Sequence, residues 1–364
     1  MIDPIFNMYK IKFDTLDKLN PLDNTKSKVR VYVNLEMVLK TLITQRNSNQ
    51  LQASGDTNGM KLCIISNIIN LAQHYRLYCV KHGKQCEVFV YFNYPHGIYY
   101  NTEFIVNYRS YYVDRVLKNE NAHYLESNLN PIIDFLKILY KYVEGVYIIN
   151  SSKIESSVLP YLISKNSQDI EDEWQNIIVS NNKYDLQYVN HNFTILSPYG
   201  DTSSVITQNN AIMLLKSFYD VATPIDVSPM FIPFITSLLG DKYRCIPKIR
   251  GVGLASILKI IKDGLTSKEI TFNTSNMMML RNIIKSEYQE MFDTNYQCVD
   301  IELQYHRISD AEVQHIIEMK EDKFDEKALE RINEAYFSEH PIMIINPKTE
   351  QIRNKRYSNK SIFG

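Results

Sequence analysis

GDKYRCIPKIRGVGLASILKIIKDG, residues 240–264, reads as two helices around a tight turn. Gly251 and Gly253 sit between an Ile-Pro turn (Ile246, Pro247) and an amphipathic run in which Leu254, Ile257, Leu258 and Ile261 recur at helical spacing. Glycine lets the backbone approach a ligand closely, and the amide N–H groups that open the second helix suit an anion such as a phosphate. Lys248, Arg250 and Lys259 add positive charge alongside. The hairpin, with Gly251 and Gly253 at its turn, is therefore a candidate contact for a nucleic-acid backbone.

Four upstream stretches stand in a telling order. VRVYVNLEMVLKTL (29–42) is an apolar strand running into a helix, and VFVYFNYP (88–95) is a second strand. KIESSVLPYLI (153–163) opens a helix, and IIVSNNKYDLQYV (177–189) is a strand followed by a turn. Together with the GDKY and IP of the hairpin, this series resembles the flap endonuclease and 5′-3′ exonuclease family, from about residue 29 to the helix DKFDEKALERINEAYF (322–337). The resemblance implies a PIN-like α/β fold: a parallel sheet sandwiched by helices, a helix-hairpin-helix subdomain and C-terminal helices.

It also implies a cage of carboxylates, and most of them are replaced here. The family's aspartate after the first strand is Asn34, and the one after the second is Asn93. In the Glu-Ala-Asp-Asp segment Glu155 is kept while the two aspartates are Ser157 and Val158. In the Ser-x-Asp-x-Asp strand-turn the acids are Asn182 and Tyr184, and in the hairpin Asp241 is kept while the second aspartate is Arg244. Glu36 and Asp185 lie close to two of these positions, but on a strand Asp185 would face away from the side that 182 and 184 share.

Family members hydrolyse phosphodiesters with two divalent cations that generate hydroxide and stabilise the leaving oxygen. Such hard cations are held by anionic oxygens. Asn for Asp keeps shape and hydrogen bonding and removes charge, whereas Arg244 adds a repelling cation. The expectation is a non-enzyme with no cofactor. Mg²⁺ belongs only to an alternative in which Glu155 and Asp241 form a reduced metal site.

Composition narrows the partners. The chain has 364 residues, is 45% hydrophobic and carries a net charge of −1, with a pI near 6.7. That length exceeds what one core usually serves, so a large domain plus a smaller one is expected. The balance gives no global drive towards nucleic acid, so any DNA contact must be local. Five cysteines without CxxC spacing point to neither zinc nor a disulfide framework. Neither an apolar membrane-spanning run nor a charged-then-apolar leader is evident, so no membrane partner is expected. Richness in Asn, Ile, Lys and Tyr, with 26 tyrosines, is a bias of A+T-rich genomes, many bacteriophages among them.

The layout that follows is an N-terminal extension (1–28) read as a loose arm, a nuclease-like domain (29–230), the helix-hairpin-helix region (231–300), and C-terminal helices with a basic tail (301–364). Strands are expected at 29–33, 87–92, 145–149, 177–180 and 193–196, and helices at 61–82 and 131–142, which is an α/β alternation. Residues 45–59 are polar enough to be a loop. Residues 96–128, with Arg109, Tyr111 and Tyr112, correspond by resemblance to the arch that threads single-stranded DNA. Interleaved aromatics and cations stack bases and neutralise phosphates, or pack against a protein neighbour.

The reading is a catalytically inactive 5′-nuclease-like scaffold, a structural or assembly component of a phage virion, with other phage structural proteins or copies of itself as partners. Its expected place is the host cytoplasm or the virion. One alternative is a non-cleaving factor for duplex or branched DNA, acting through the hairpin. Another is a metal-dependent 5′ nuclease with a reduced site.

Overall fold

A computed structural model describes residues 13–35, 68, 71–92, 145–151, 154–166, 173–180, 182–191, 193–197, 204–206, 231–241, 246–266, 281–282 and 284–319. Asn93, Arg244, Glu36, the arch with Arg109, Tyr111 and Tyr112, the expected helix at 131–142 and the basic tail lie outside these residues.

At the centre is β1, Lys28–Asn34, whose alternation of valine with larger side chains suits a strand buried on both faces. It pairs in parallel with β2, Gln85–Phe92, on one side and with β4, Trp174–Val179, on the other. β3, Val146–Asn150, adds in parallel to β2, and β5, Phe193–Ser197, adds in parallel to β4. A short antiparallel strand, β6 (Ser204–Ile206), closes one edge, giving the order β3-β2-β1-β4-β5-β6. The five parallel strands fall where the sequence predicts them, although β4 starts at Trp174, three residues early, and β6 was not expected.

One face of the sheet is aromatic. Phe193, Tyr32, Phe89 and Tyr147 lie in a row with successive ring centroids 5.9, 5.4 and 5.0 Å apart. Tyr32 donates its hydroxyl hydrogen to Asn176 Oδ1 at 3.0 Å. Arg30, on the same side of β1, is buried with its guanidinium 3.9 Å from the centroid of the Trp174 ring and its Nε 3.2 Å from Glu87 Oε2. A buried cation is tolerated because an anion and a π-face both meet it.

The other face meets the chain's beginning. α1, Phe13–Leu19, and α2, the helix over residues 71–81, touch where Tyr78 donates its hydroxyl hydrogen to the Leu16 carbonyl at 3.0 Å and Lys81 pairs with Asp17 at 2.8 Å. The Lys81 and His82 partners hold the Asp17 carboxyl below its ordinary value. Gln175 of β4 donates to the Pro21 carbonyl at 2.7 Å and accepts from Asp23 N–H at 2.8 Å. Residues 13–28 are thus docked, which corrects the expectation of a loose arm across 1–28. Leu16 and Leu22 supply apolar burial that the polar composition of the segment disguises.

α3, Leu159–Asn166, shares a hydrophobic cluster with the aromatic face, and the helical region follows it: α4, Ile232–Leu239; α5, Leu254–Thr266; α6, Ser286–Val299; α7, Ile301–Tyr305; and α8, Asp310–Glu318. α5 begins where the hairpin reading placed it, with Ile257 and Ile261 buried. Phe234 of α4 meets Phe292 of α6 edge to face at 5.4 Å. Tyr161 of α3 donates to Glu302 at 3.4 Å, and Asn166 donates to the Tyr305 hydroxyl at 3.1 Å. One hydrophobic cluster therefore runs from Tyr32 in the sheet to Ile316 in α8. Among the described residues no helix is long and apolar enough to cross a membrane.

Asp300 caps α7 by accepting the Leu303 N–H at 2.9 Å. Burial raises its carboxyl above the ordinary value, outweighing the hydrogen bonds from Leu303 and Tyr296. A carboxyl raised in the folded state stabilises most at low pH, and that contribution is lost as pH rises through the folded value. Asparagine caps as well as aspartate and carries no charge. Asp300→Asn is therefore expected to raise the thermal midpoint by a degree or two at about pH 7, with the gain shrinking towards about pH 4. Calorimetry at the two pH values checks it, and a lower midpoint at neutral pH would contradict it.

Candidate functional site

In an open α/β sheet, ligands collect beyond the carboxyl ends of the strands, where the strand order reverses. Here the reversal lies between β1, whose sequence neighbour β2 is on one side, and β4 on the other. Asn34 ends β1 at this place, buried, in register with Tyr91 of β2.

Beyond β4 the chain does not continue as a strand. Residues Lys183–His191 form a 3-10 helix, and the polar residues ahead of it explain why. Ser180 Oγ accepts from Asn182 N–H at 3.0 Å, and Asn182 Oδ1 accepts from Tyr184 N–H at 3.2 Å, the short-range bonding by which Ser and Asn turn a chain. Ser180 Oγ in turn donates to Asp185 Oδ2, and Asp185 N–H donates to the Asn182 carbonyl at 3.0 Å. The expectation that Asp185 faces away from 182 and 184 by strand alternation is therefore corrected. These residues lie on a tight helical turn, and Asp185 is buried inside it.

Tyr184 leaves this turn towards the hairpin. Its hydroxyl donates to Asp241 Oδ2 at 2.7 Å, with Tyr184 3% and Asp241 6% exposed. Asp241 follows α4 directly, and its backbone exchanges two hydrogen bonds with Ile246, each 2.9 Å. Gly240, at φ 70° and ψ 171°, makes that turn possible. Asn295 of α6 pins it by donating to the carbonyls of Ser237 at 2.7 Å and Pro247 at 2.9 Å.

The third segment joins through another tyrosine. Ser156–Val158 form a 3-10 turn with Glu155 at its start, and Ser157 and Val158 are buried. Tyr188, also buried, donates to the Ser157 carbonyl and accepts the Tyr161 N–H at 3.1 Å. Burial pushes its phenol well above the usual value. The 3-10 helix thus links position 157, through Tyr188, with positions 182 and 241, through Tyr184. Among the described residues no three His, Cys, Asp or Glu side chains form a group suited to a metal ion.

Lys248, Arg250, Gly251 and Gly253 lead into α5, and Lys259 lies one turn beyond exposed Ala255. Lys248, Arg250 and Lys259 are all exposed. Ile257 N–H donates to the Gly253 carbonyl at 3.1 Å, so the amides of 254–256 precede the first bond of the helix's own ladder. A Cβ on Gly251 or Gly253 would meet nothing within 4 Å.

The chain is similar to the T5 D15 protein co-crystallised with metal ions. The TM-score is 0.48 at 10% identity, over 80% of this chain and 99% of that one. No protein-family model and no curated protein matches the chain.

Chemically, the described neighbourhood offers amides, hydroxyls and phenols rather than a concentration of anions. Sequence reasoning passed over Tyr188 and Asn295, and it used Ser180 and Gly240 only as landmarks without the turn-building roles they have here. Gly240 carried a signal, a glycine just after an apolar helical run. Tyr188 carried none, because a tyrosine that packs and one that bridges two backbones look alike in a sequence.

Proposed function

We propose that this chain is a catalytically silent protein built on a 5′-nuclease-like scaffold and kept for assembly, with structural proteins of a phage particle or further copies of itself as partners. The observation that carries this reading is the Tyr184–Asp241 hydrogen bond. Two-metal hydrolysis needs anionic oxygens free to take cations. Here one of the two retained acids already has an oxygen engaged by a phenol that stands where the resemblance places a ligand. Asn34, Ser157, Val158 and Asn182 are neutral as well. The host cytoplasm and the virion fit this role.

The full-length protein with Mg²⁺ or Mn²⁺ is expected to leave flap, nicked and single-stranded DNA intact. Multiple turnover that disappears in Glu155→Ala and Asp241→Ala would overturn the reading in favour of a reduced metal-dependent nuclease.

The exposed Lys248, Arg250 and Lys259 around an open glycine turn favour a second reading, a non-cleaving DNA-binding factor. Such binding would be independent of sequence and would weaken with salt at a slope of about −0.9 per phosphate neutralised. Gly253→Val discriminates, since a Cβ at this position meets nothing within 4 Å among the described residues. On this reading it abolishes binding in a titration against duplex DNA without moving the thermal midpoint. Absent binding at low salt removes the reading.

A further inference from the structure

A carboxylate taken out of water needs either a counter-charge or well-placed donors. Asp241 is 6% exposed, and the hydroxyl of an equally buried tyrosine meets its Oδ2 at 2.7 Å. Phenol-to-carboxylate bonds of this length are charge-assisted and stronger than bonds between neutral groups. The phenol is aimed by its own turn, because Asn182 holds the Tyr184 N–H and Ser180 holds Asn182. Asp241 is fixed from its side by the two-way pairing with Ile246. The bond therefore connects two preset pieces of chain, the turn that follows β4 and the loop that leads into the hairpin.

We infer that Tyr184 is a built-in substitute for a divalent cation: its hydroxyl fastens the hairpin loop to the sheet domain without metal, and by engaging Asp241 Oδ2 it competes with an ion for that oxygen. The inference rests on the silent-scaffold reading for what is substituted, while the bond itself is independent of it. Phenylalanine at 184 fills the same space and removes the donor. A carboxylate at 184 would stand beside Asp185 and against Asp241, where like charges repel unless a cation joins them.

Thermal unfolding of the full chain, in EDTA and in millimolar Mn²⁺, tests this. The wild-type midpoint should be the same in both. Tyr184→Phe should lie about 3 °C lower in both, the scale of a lost charge-assisted bond in a protein of this size. Tyr184→Asp should be destabilised in EDTA and recover several degrees in Mn²⁺. A wild-type midpoint that climbs with Mn²⁺, a Tyr184→Phe midpoint equal to wild type, or a Tyr184→Asp variant indifferent to Mn²⁺ overturns the inference. Assaying the wild-type sample on flap DNA separates the two claims, since cleavage would remove the silent-scaffold reading while the midpoints alone decide the role of Tyr184.

Discussion

Gly240→Ala is expected to lower the thermal midpoint by about 5 °C, from a loss of about 3–4 kcal/mol. Two penalties coincide at this position. At φ 70° and ψ 171° the backbone occupies a region that essentially only glycine visits. An added Cβ would also sit 2.6 Å from the Ile246 carbonyl oxygen, 2.6 Å from Lys248 N and 2.8 Å from Pro247 C. All three are backbone atoms of the loop that Asn295 pins, so relief requires moving the loop itself. Gly251→Ala is the control, because it shares a positive φ of 77° but has nothing within 4 Å of a Cβ. It should cost about 1 kcal/mol. Equal midpoints for the two variants in calorimetry would show that the clash at 240 is absorbed, and would weaken the case for a rigid loop behind Asp241.

Tyr188→Phe is the second large effect, expected at about 3 kcal/mol. The hydroxyl serves two backbone groups at once, donating to the Ser157 carbonyl and accepting from Tyr161 N–H. Phenylalanine leaves both partners short of a bond inside the core, and an unmet buried polar group costs about 1–3 kcal/mol. The raised phenol pKa means the hydroxyl stays protonated, so the penalty should be flat with pH below about 10. Denaturant unfolding at about pH 5 and about pH 8 measures it. A loss under about 0.5 kcal/mol would mean that water or another side chain takes over both bonds.

Much of the architecture was legible because burial on both faces leaves a plain signature. VFVYF is a continuous apolar run and VRVYV is broken only by Arg30, and near-continuous runs of this kind are what covered parallel strands look like. The start of α5 was legible for a different reason, the passage from glycines to an amphipathic helical period. The turn after β4 was misread because Asn182 and Tyr184 alternate as strand residues do, whereas local Ser and Asn bonding competes with the ladder and wins. The N-terminal segment was misread because few apolar residues suffice to dock it once Gln175 and Tyr78 hold its backbone. At the candidate site the neutral character of Asn34, Ser157, Val158 and Asn182 was plain from residue types. That Tyr184 and Asp241 would meet was not, because their separation of 57 residues carries no local signal.

The central position of β1 has a bearing on how the molecule is assembled in time. The strand is made well before the partners that flank it. Arg30 meets Glu87 across 57 residues, Tyr32 meets Asn176 across 144, and the Asp23 backbone waits for Gln175 across 152. Long separations of this kind require chain entropy to be surrendered before any contact repays it, and they slow folding relative to helical bundles of equal stability. A nascent chain that has not yet produced Trp174–Val179 therefore carries β1 with one side unpaired, and the sheet cannot close until that segment has left the ribosome.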